Sequence, residues 1–455
     1  MANSHINKII LISALVILLI GMVNSEKSIK SENSEKSKLA YKCPKFKPRD
    51  DANSTRYIII FKNDHSTQSE GSDDTVIQDH FDGLKSCFGK HVEKVKGPNS
   101  HDQNVVTDFT IPGSIAGYTG MFTSDEANEL SQLSEVAIVE EDVKIQTAGV
   151  IRKKRDLLPT LSTYLVQLNP PPNLNRISQA SLPLNGRYRY PRSAGNGVNV
   201  YVIDTSVFLG GPHPGININN TDFGGRAHWS ATFCKGCPNF DDHGHGTNIA
   251  GIIGGSRYGV AKKVNLFAIK ALNSQGGGDM STFINSLTYV LGLHQKSTNK
   301  NTIVNLSIGT ASSPALKATV ESLINSGIHV VAAAGNGYGA DACSYTPSNV
   351  ANAVVVGSTE INDIVSDFSN RGSCITLFAP GRNVVSDGPN GKTSTLTESG
   401  TSQSTPHAAG AIALVISKSG NKTPKAMKDY LIQLSTKNVI KGLDSKSPNR
   451  LLRIP

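Results

Sequence analysis

The 455-residue chain has little of what marks a membrane protein, a nucleic-acid binder or a metalloprotein. Its N-terminal apolar stretch, Ile9 to Val23, falls short of the ~20 residues that cross a bilayer core as a helix, so no stable membrane span is expected. Lys and Arg number 45 against 36 Asp and Glu, but the excess is not gathered into a basic stripe interleaved with aromatics, and no nucleic-acid partner is expected. Its visible basic run, Arg152-Lys153-Lys154-Arg155, reads as a cleavage site or a solvated linker. There are six cysteines. Cys234 and Cys237 have a metal-like spacing, yet no second pair follows at a familiar zinc spacing. No internal repeat is evident.

What is present is ordered along the chain. Lys8, the apolar stretch after it and Val23-Asn24-Ser25 have the layout of a signal peptide over residues 1–25, with an uncleaved anchor as the alternative disfavoured by length. Export implies an oxidising compartment and bridged cysteines. Cys234 with Cys237 and Cys43 with Cys87 are possible pairs, although sequence does not fix connectivity. Residues 26–54, rich in Lys, Ser and Glu, read as a disordered linker. Residues 55–147 read as a small α+β unit: strands at Tyr57–Phe61, Val105–Phe109 and Val136–Asp142, with a helix from Ser124 to Leu133 opened by a Ser124 cap. Residues 148–169 form a processing linker. From 170 to 455, apolar strands alternate with amphipathic helices, including Phe283, Ile284, Leu287, Val290 and Leu291 at helical spacing, and Leu316, Val320, Leu323 and Ile324 after a Ser313-Pro314 cap. That alternation predicts an α/β domain with a mostly parallel sheet flanked by helices.

Three distant segments each end in a residue needed to activate a serine: V-Y-V-I-D-T at Asp204, D-H-G-H-G-T at His245, and S-G-T-S-Q-S-T-P-H-A-A-G at Ser402. A serine hydroxyl is a weak nucleophile at neutral pH. It needs a histidine to take its proton and a carboxylate to hold that histidine. Val198–Ile203 reads as a buried strand with Asp204 at its C-terminal end; His245 opens a helix whose Gly246, Ala250 and Gly251 allow close packing on the sheet; Ser402 lies in the first turn of an apolar helix running to Ile416. The run Gly327–Asn336 reads as a further parallel strand that delivers Asn336 at its C-terminal tip. The cluster Asp241-Asp242-His243-Gly244-His245 with Cys234 and Cys237 has a metal site as its alternative reading.

In the order Asp, His, Ser, with the A-A-G-N run at Asn336, the chain resembles the subtilisin superfamily, specifically its proteinase K and cerevisin branch. That resemblance implies a secreted, zymogen-type serine endopeptidase that hydrolyses protein and peptide substrates, extracellular or destined for cell wall or vacuole, and a monomer. Ser402 would be the nucleophile, His245 the general base with an ordinary apparent pKa around 6–7, and Asp204 its orienting partner. Asn336 and the Ser402 amide would bind the oxyanion. Peptide substrate would pair with two exposed edges, Ser307-Ile308-Gly309 and Gly276-Gly277-Gly278, beside Ala333, Ala334 and Gly335. Residues 55–147 resemble the ferredoxin-like inhibitory propeptide of that family, through Tyr57–Lys62, Tyr118–Phe122 and Val136–Asp142. The tail Asp142–Thr147 would lie in the cleft, self-cleavage would fall near 143–150, and trimming at Arg155 would need another enzyme. Cys343 and Cys374 match a disulfide of secreted relatives. No kexin-like C-terminal β-domain is expected. No cofactor is needed for the chemistry, and Thr376 stands where proteinase K relatives carry a calcium-binding Asp, which weakens the case for structural calcium. The chain departs from the family pattern at Ser206, Asn248 and Gln403-Ser404, near the expected site. Asn248, Gln403 and the atypical loop around Cys234 leave a second reading, a catalytically weak pseudoprotease that acts as a surface or structural binding protein.

Overall fold

The computed structural model describes residues 54–62, 73–94, 104–111, 114–147, 163–205 and 220–455. The expected signal peptide, nearly all of the linker after it, the Arg152–Arg155 run, Cys43 and Ser206 lie outside the described residues. Contacts divide the chain into two compact units, one of Met1–Arg49 with Ser69–His91 and one of Asp50–Gln68 with Val92–Pro455. The described part of the first is centred on the helix Asp73–Phe88. All that follows belongs to the second.

Its centre is a nine-stranded sheet in the order 227–232, 265–270, 199–204, 302–306, 329–333, 354–359, 377–380, 450–451, 436–437. Neighbours are parallel throughout except the last pair. Every residue of Thr302–Leu306, His329–Ala333 and Val354–Thr359 is buried. Helices cover both faces of such strands, so they read as continuous rather than alternating apolar runs. The helices His245–Gly254, Thr401–Ser419 and Pro424–Leu434 share one apolar cluster with one face of the sheet; Met280–Lys296 and Pro314–Asn325 share another with the opposite face. Chain order reverses direction between strands 199–204 and 302–306, and open α/β sheets build their sites at the C-terminal ends of strands beside such a switch.

The Ser313 side chain accepts from the Leu316 amide at 3.1 Å, with Pro314 at the first helical position. Ser124 is not a cap, however. The Ser124–Ser131 helix is opened by Thr123, whose side chain accepts from the Glu126 amide while the Glu126 carboxylate accepts from the Thr123 amide. Both residues suit a cap, and the reciprocal bond to Glu126 decides which one serves. Ordered structure also starts before Pro170: Tyr164–Leu168 pairs antiparallel with Arg187–Pro191.

In the smaller sheet, Val105–Asp108, Gly117–Phe122, Thr55–Phe61 and Val136–Glu141 pair antiparallel in that order. Ile58 and Ile60, two residues apart on one face, join Phe109 and Ile115 in the apolar cluster of the 280–296 and 314–325 helices. Two carboxylates reinforce the docking. Glu140 accepts from the Ala315 amide at 2.8 Å and Asp142 from the Ser281 amide at 2.7 Å and the Ser281 hydroxyl, so each meets the unsatisfied N–H groups and positive dipole end of one helix. No helix among the described residues is long and apolar enough to cross a membrane.

Candidate active site

Asp204 ends its strand and His245 is the first residue of its helix, and both are fully buried. His245 Nδ1 lies 2.8 Å from Asp204 Oδ1, the bond that fixes an imidazole's tautomer and orientation. The same oxygen accepts from the Thr205 amide at 2.7 Å, and Thr205 Oγ1 accepts from the Gly246 amide at 3.0 Å. Gly244, at φ 106°, turns the chain into the helix; a Cβ there would fall 2.9 Å from the Pro389 ring. Lys270, paired in register with Asp204 and fully buried, donates to the carbonyls of Thr205 and Phe240 and to Asp242 Oδ1, at 2.7, 2.9 and 2.7 Å. It thereby pins the segment after Asp204 to the one before His245.

Ser402 is the second residue of its helix and is 2% exposed. Pro406 stands one turn on and has no N–H, so the Ser402 carbonyl loses its usual helical partner. Ser307 supplies another: its Oγ donates to the Ser402 carbonyl at 2.8 Å, while Ser402 Oγ donates to the Ser307 carbonyl, also at 2.8 Å. Ser402 Oγ is thus turned toward Ser307, and His245 Nε2 makes no hydrogen bond among the described residues. Asn336 Oδ1 accepts from the Thr401 amide at 2.9 Å and the Thr401 hydroxyl at 2.8 Å, which turns its Nδ2 the other way. The Cys343–Cys374 disulfide is formed, bracing the segment that follows Asn336. Cys234 and Cys237 are bridged to each other.

The strand Lys144–Thr147 lies antiparallel between two edges. On one side Gly277 opposes Gln146, Gly278 opposes Ile145 and Asp279 opposes Lys144; on the other Ile308 opposes Thr147 and Gly309 opposes Gln146. Gly278 has to be glycine, since a Cβ would sit 2.7 Å from the Ala271 carbonyl. Two of the residues assigned to these edges make further bonds of their own. Gly276 forms the turn, its amide bonded to the Asn273 carbonyl, and Ser307 exchanges hydrogen bonds with Ser402. Ala333, Ala334 and Gly335 have polar groups bonded inside the fold: the Ala333 carbonyl to Ser348 Oγ, the Ala334 amide and carbonyl to Val356 and Asn370, and the Gly335 amide to Thr401 Oγ1.

Burial by itself would lower the His245 pKa. The charge and hydrogen bond of Asp204, with Glu398 and Asp241, outweigh it and push the imidazole up to about 9, above the ordinary range read from sequence. Asp241 is itself committed, one oxygen to the His243 and Gly244 amides and the other to the Thr247 amide and hydroxyl. With Asp242 on Lys270 and both nearby cysteines oxidised, the metal-site reading of this cluster is overturned: the donors are spent. Thr376 Oγ1 accepts from the Val355 amide at 3.0 Å. No group of three or more His, Cys, Asp or Glu among the described residues is disposed to hold a metal ion.

Gly251 makes its close approach to Ser386 and Asp387 of the Val384–Asp387/Thr395–Glu398 hairpin, rather than to the sheet. The departures at Asn248 and Gln403 meet on that same side. Gln403 Nε2 donates to Glu398 Oε2 at 2.7 Å and lies 3.4 Å from Asn248 Oδ1, and Asn248 Nδ2 donates to the Leu396 carbonyl at 2.9 Å. Sequence reasoning missed Glu398, Thr401 and Lys270, and it named Ser307 as a substrate edge without its bonds to Ser402. Pro406, four residues after Ser402, was the one local sign that the Ser402 carbonyl needed an outside donor.

Two family models match, the Subtilase family over residues 195–449 and Peptidase inhibitor I9 over residues 56–148. The chain is 33% identical over 421 residues to the Penicillium rubens protein Subtilisin-like serine protease Pen ch 18, covering 87% of this chain and 79% of that one. It is 32% identical over 423 residues to Alkaline protease 2 of Aspergillus fumigatus, covering 87% and 80%. Among solved structures, that of a cold adapted subtilisin-like serine proteinase superposes with a TM-score of 0.57 at 37% identity, over 63% of this chain and 99% of that one.

Proposed function

The chain belongs to the subtilase family, and on that premise we propose that it is a secreted, zymogen-type endopeptidase of the proteinase K and cerevisin branch, working through an acyl-enzyme on Ser402. The supporting observation is the peptide strand Lys144–Thr147, held by main-chain pairing between two edges, one of which continues from Ser307, the residue bonded to Ser402. A protein substrate would be bound by the same strand addition.

In this mechanism Ser402 Oγ leaves the Ser307 carbonyl, passes its proton to His245 Nε2 and attacks the scissile carbonyl carbon. Asp204 holds Nδ1–H and stabilises the imidazolium. The negative oxygen of the tetrahedral intermediate is met by Asn336 Nδ2 and the Ser402 amide, donors that need no rearrangement. His245 then protonates the leaving amine, and water repeats the sequence to release the acyl group. The 55–147 region is the intramolecular inhibitor, and its first cut is autocatalytic near residues 143–150. Any trimming after Arg155 belongs to another protease.

Labelling of the processed protein by a fluorophosphonate tests this: an adduct on Ser402 is expected, and a folded, propeptide-free sample that takes none sinks it. That result would favour the pseudoprotease reading, which has one observation behind it, the Ser402 hydroxyl bonded to Ser307 rather than to His245. Ser402→Ala is expected to accumulate precursor uncut at the tail, and maturation there in spite of it would show that processing is not the protein's own.

A further inference from the structure

Three buried side chains close a ring behind Ser402 and His245. Glu398, 2% exposed, ends the second strand of the 384–398 hairpin. Its Oε2 accepts from Gln403 Nε2, and Gln403 directly follows Ser402 on the nucleophile helix. Gln403 reaches Asn248 Oδ1, and Asn248 is one turn along the helix that His245 opens. Asn248 returns to the hairpin through the Leu396 carbonyl. Gln403 and Asn248 are fully buried. The ring thus ties the helix carrying the serine and the helix carrying the imidazole to one strand, with a carboxyl as its anchor.

We propose that Glu398 is a positioning residue of the serine–histidine pair: through Gln403 and Asn248 it clamps the two helices in register, and its carboxylate places a second buried negative charge, after Asp204, in the field of His245. A polar ring of this kind is costly unless its members are bonded to one another, and each of the two departures from the family pattern supplies what the next needs. Gln403 gives the carboxylate a donor, and Asn248 gives Gln403 an acceptor.

The groups that act on Glu398 come from three elements: His245 on the helix, Asp204 on the central strand and Asp241 on the loop before His245. Burial raises the Glu398 carboxyl, His245 opposes that rise, and the two aspartates add to it, leaving it at about 7. Around pH 9, where the imidazole surrenders its proton, Glu398 is ionised and favours the imidazolium. Removing the charge therefore moves the deprotonation of His245 to lower pH.

The role rests on the endopeptidase reading. The test measures the rate of Ser402 inactivation by diisopropyl fluorophosphate across pH, with kcat and KM on a peptide substrate, for the processed enzyme and for Glu398→Gln, Glu398→Leu and Gln403→Met. Glu398→Gln keeps an acceptor for Gln403 but loses the charge; its acid-limb midpoint is expected to fall by roughly half a pH unit or more. Glu398→Leu breaks the clamp as well and is expected to lose about tenfold or more in plateau rate and kcat with little change in KM, a loss that Glu398→Gln largely restores. Gln403→Met keeps the charge and breaks the clamp, so its plateau falls while its midpoint stays nearer the unsubstituted enzyme than that of Glu398→Gln. Superimposed profiles for Glu398→Gln and the unsubstituted enzyme overturn the proposal, whether or not the leucine variant folds. Failure of the unsubstituted enzyme to label at all overturns both the proposal and the endopeptidase reading.

Discussion

Asn336 has one oxygen and one nitrogen to commit, and Thr401 takes the oxygen twice. In the proposed mechanism its amide is thereby oriented before any substrate arrives, which is what makes an oxyanion donor effective. Asn336→Leu is expected to lower kcat by about 100- to 1,000-fold, the ~2.7–4 kcal/mol associated with deleting such a donor in a related enzyme, with KM little changed; a drop confined to KM would assign Asn336 to substrate binding instead. For His245 in its proposed role as the base, the sign follows from its charge state. The imidazole accepts a proton only when neutral, and because the acidic groups around it raise its pKa to about 9, kcat/KM is expected to climb through neutral pH into the alkaline range. A half-maximal point at or below the ordinary histidine value of ~6.5 would show that the field of Asp204, Glu398 and Asp241 is not felt at His245. The same shift makes a stability contribution that is fully present below the unfolded pKa and is lost as pH rises through about 9.

Among the elements, the 384–398 hairpin is the one whose importance exceeds its size. At one end it carries Glu398, and at the other Asp387, 1% exposed with Oδ2 unpartnered among the described residues. Burial raises the Asp387 carboxyl well above its ordinary range, and the charge and hydrogen bond of Asp222 raise it further. Such a group holds its proton to higher pH in the fold than in the unfolded chain, so stability declines as pH rises from the ordinary carboxyl range toward the folded pKa. Asp387→Asn removes that decline: its melting temperature is expected to gain more on the unsubstituted protein at pH 9 than at pH 5. An equal or larger gain at pH 5 would refute the upward shift of the Asp387 carboxyl. The Pro314–Asn325 and Pro424–Leu434 helices need no such device, since their apolar stripes and their Ser313 and Thr423 caps act locally.

At the scale of the whole molecule, inhibition is a matter of two helix N-termini and one strand. Glu140 and Asp142 each place a carboxylate on backbone N–H groups of the peptidase helices, and the chain after them enters the cleft. Glu140→Ala and Asp142→Ala are each expected to weaken inhibition by the added 55–147 segment by about 1 kcal/mol, five- to tenfold in the inhibition constant. Burial raises the Asp142 carboxyl, more than its Ser281 bonds and Arg56 lower it. The docked state therefore prefers the proton, and inhibition is expected to loosen as pH rises through the Asp142 titration. Asp142→Asn should flatten that slope, and a slope unchanged by this substitution would place the pH sensitivity elsewhere.

Sequence alone determined the layered α/β architecture, because strands buried on both faces and helices with one apolar stripe write their burial into neighbouring residues, as in Thr302–Leu306 and Pro314–Asn325. It also determined which residues could form the site, since each motif around Asp204, His245, Asn336 and Ser402 keeps its own strand end or helix start. The tertiary structure decided what those motifs share. Ser307 was read as a substrate edge, yet its hydroxyl and carbonyl both go to Ser402, 95 residues away, and no local pattern encodes a partner that distant. Asn248 and Gln403 looked like two independent departures until Glu398 joined them, and the pKa of His245 is set by carboxylates from three separate segments. Backbone preference and burial are nearest-neighbour properties, readable along a chain. Hydrogen-bond partnership between buried side chains and the electrostatic field at a buried ring depend on distances in space, which only the folded chain supplies.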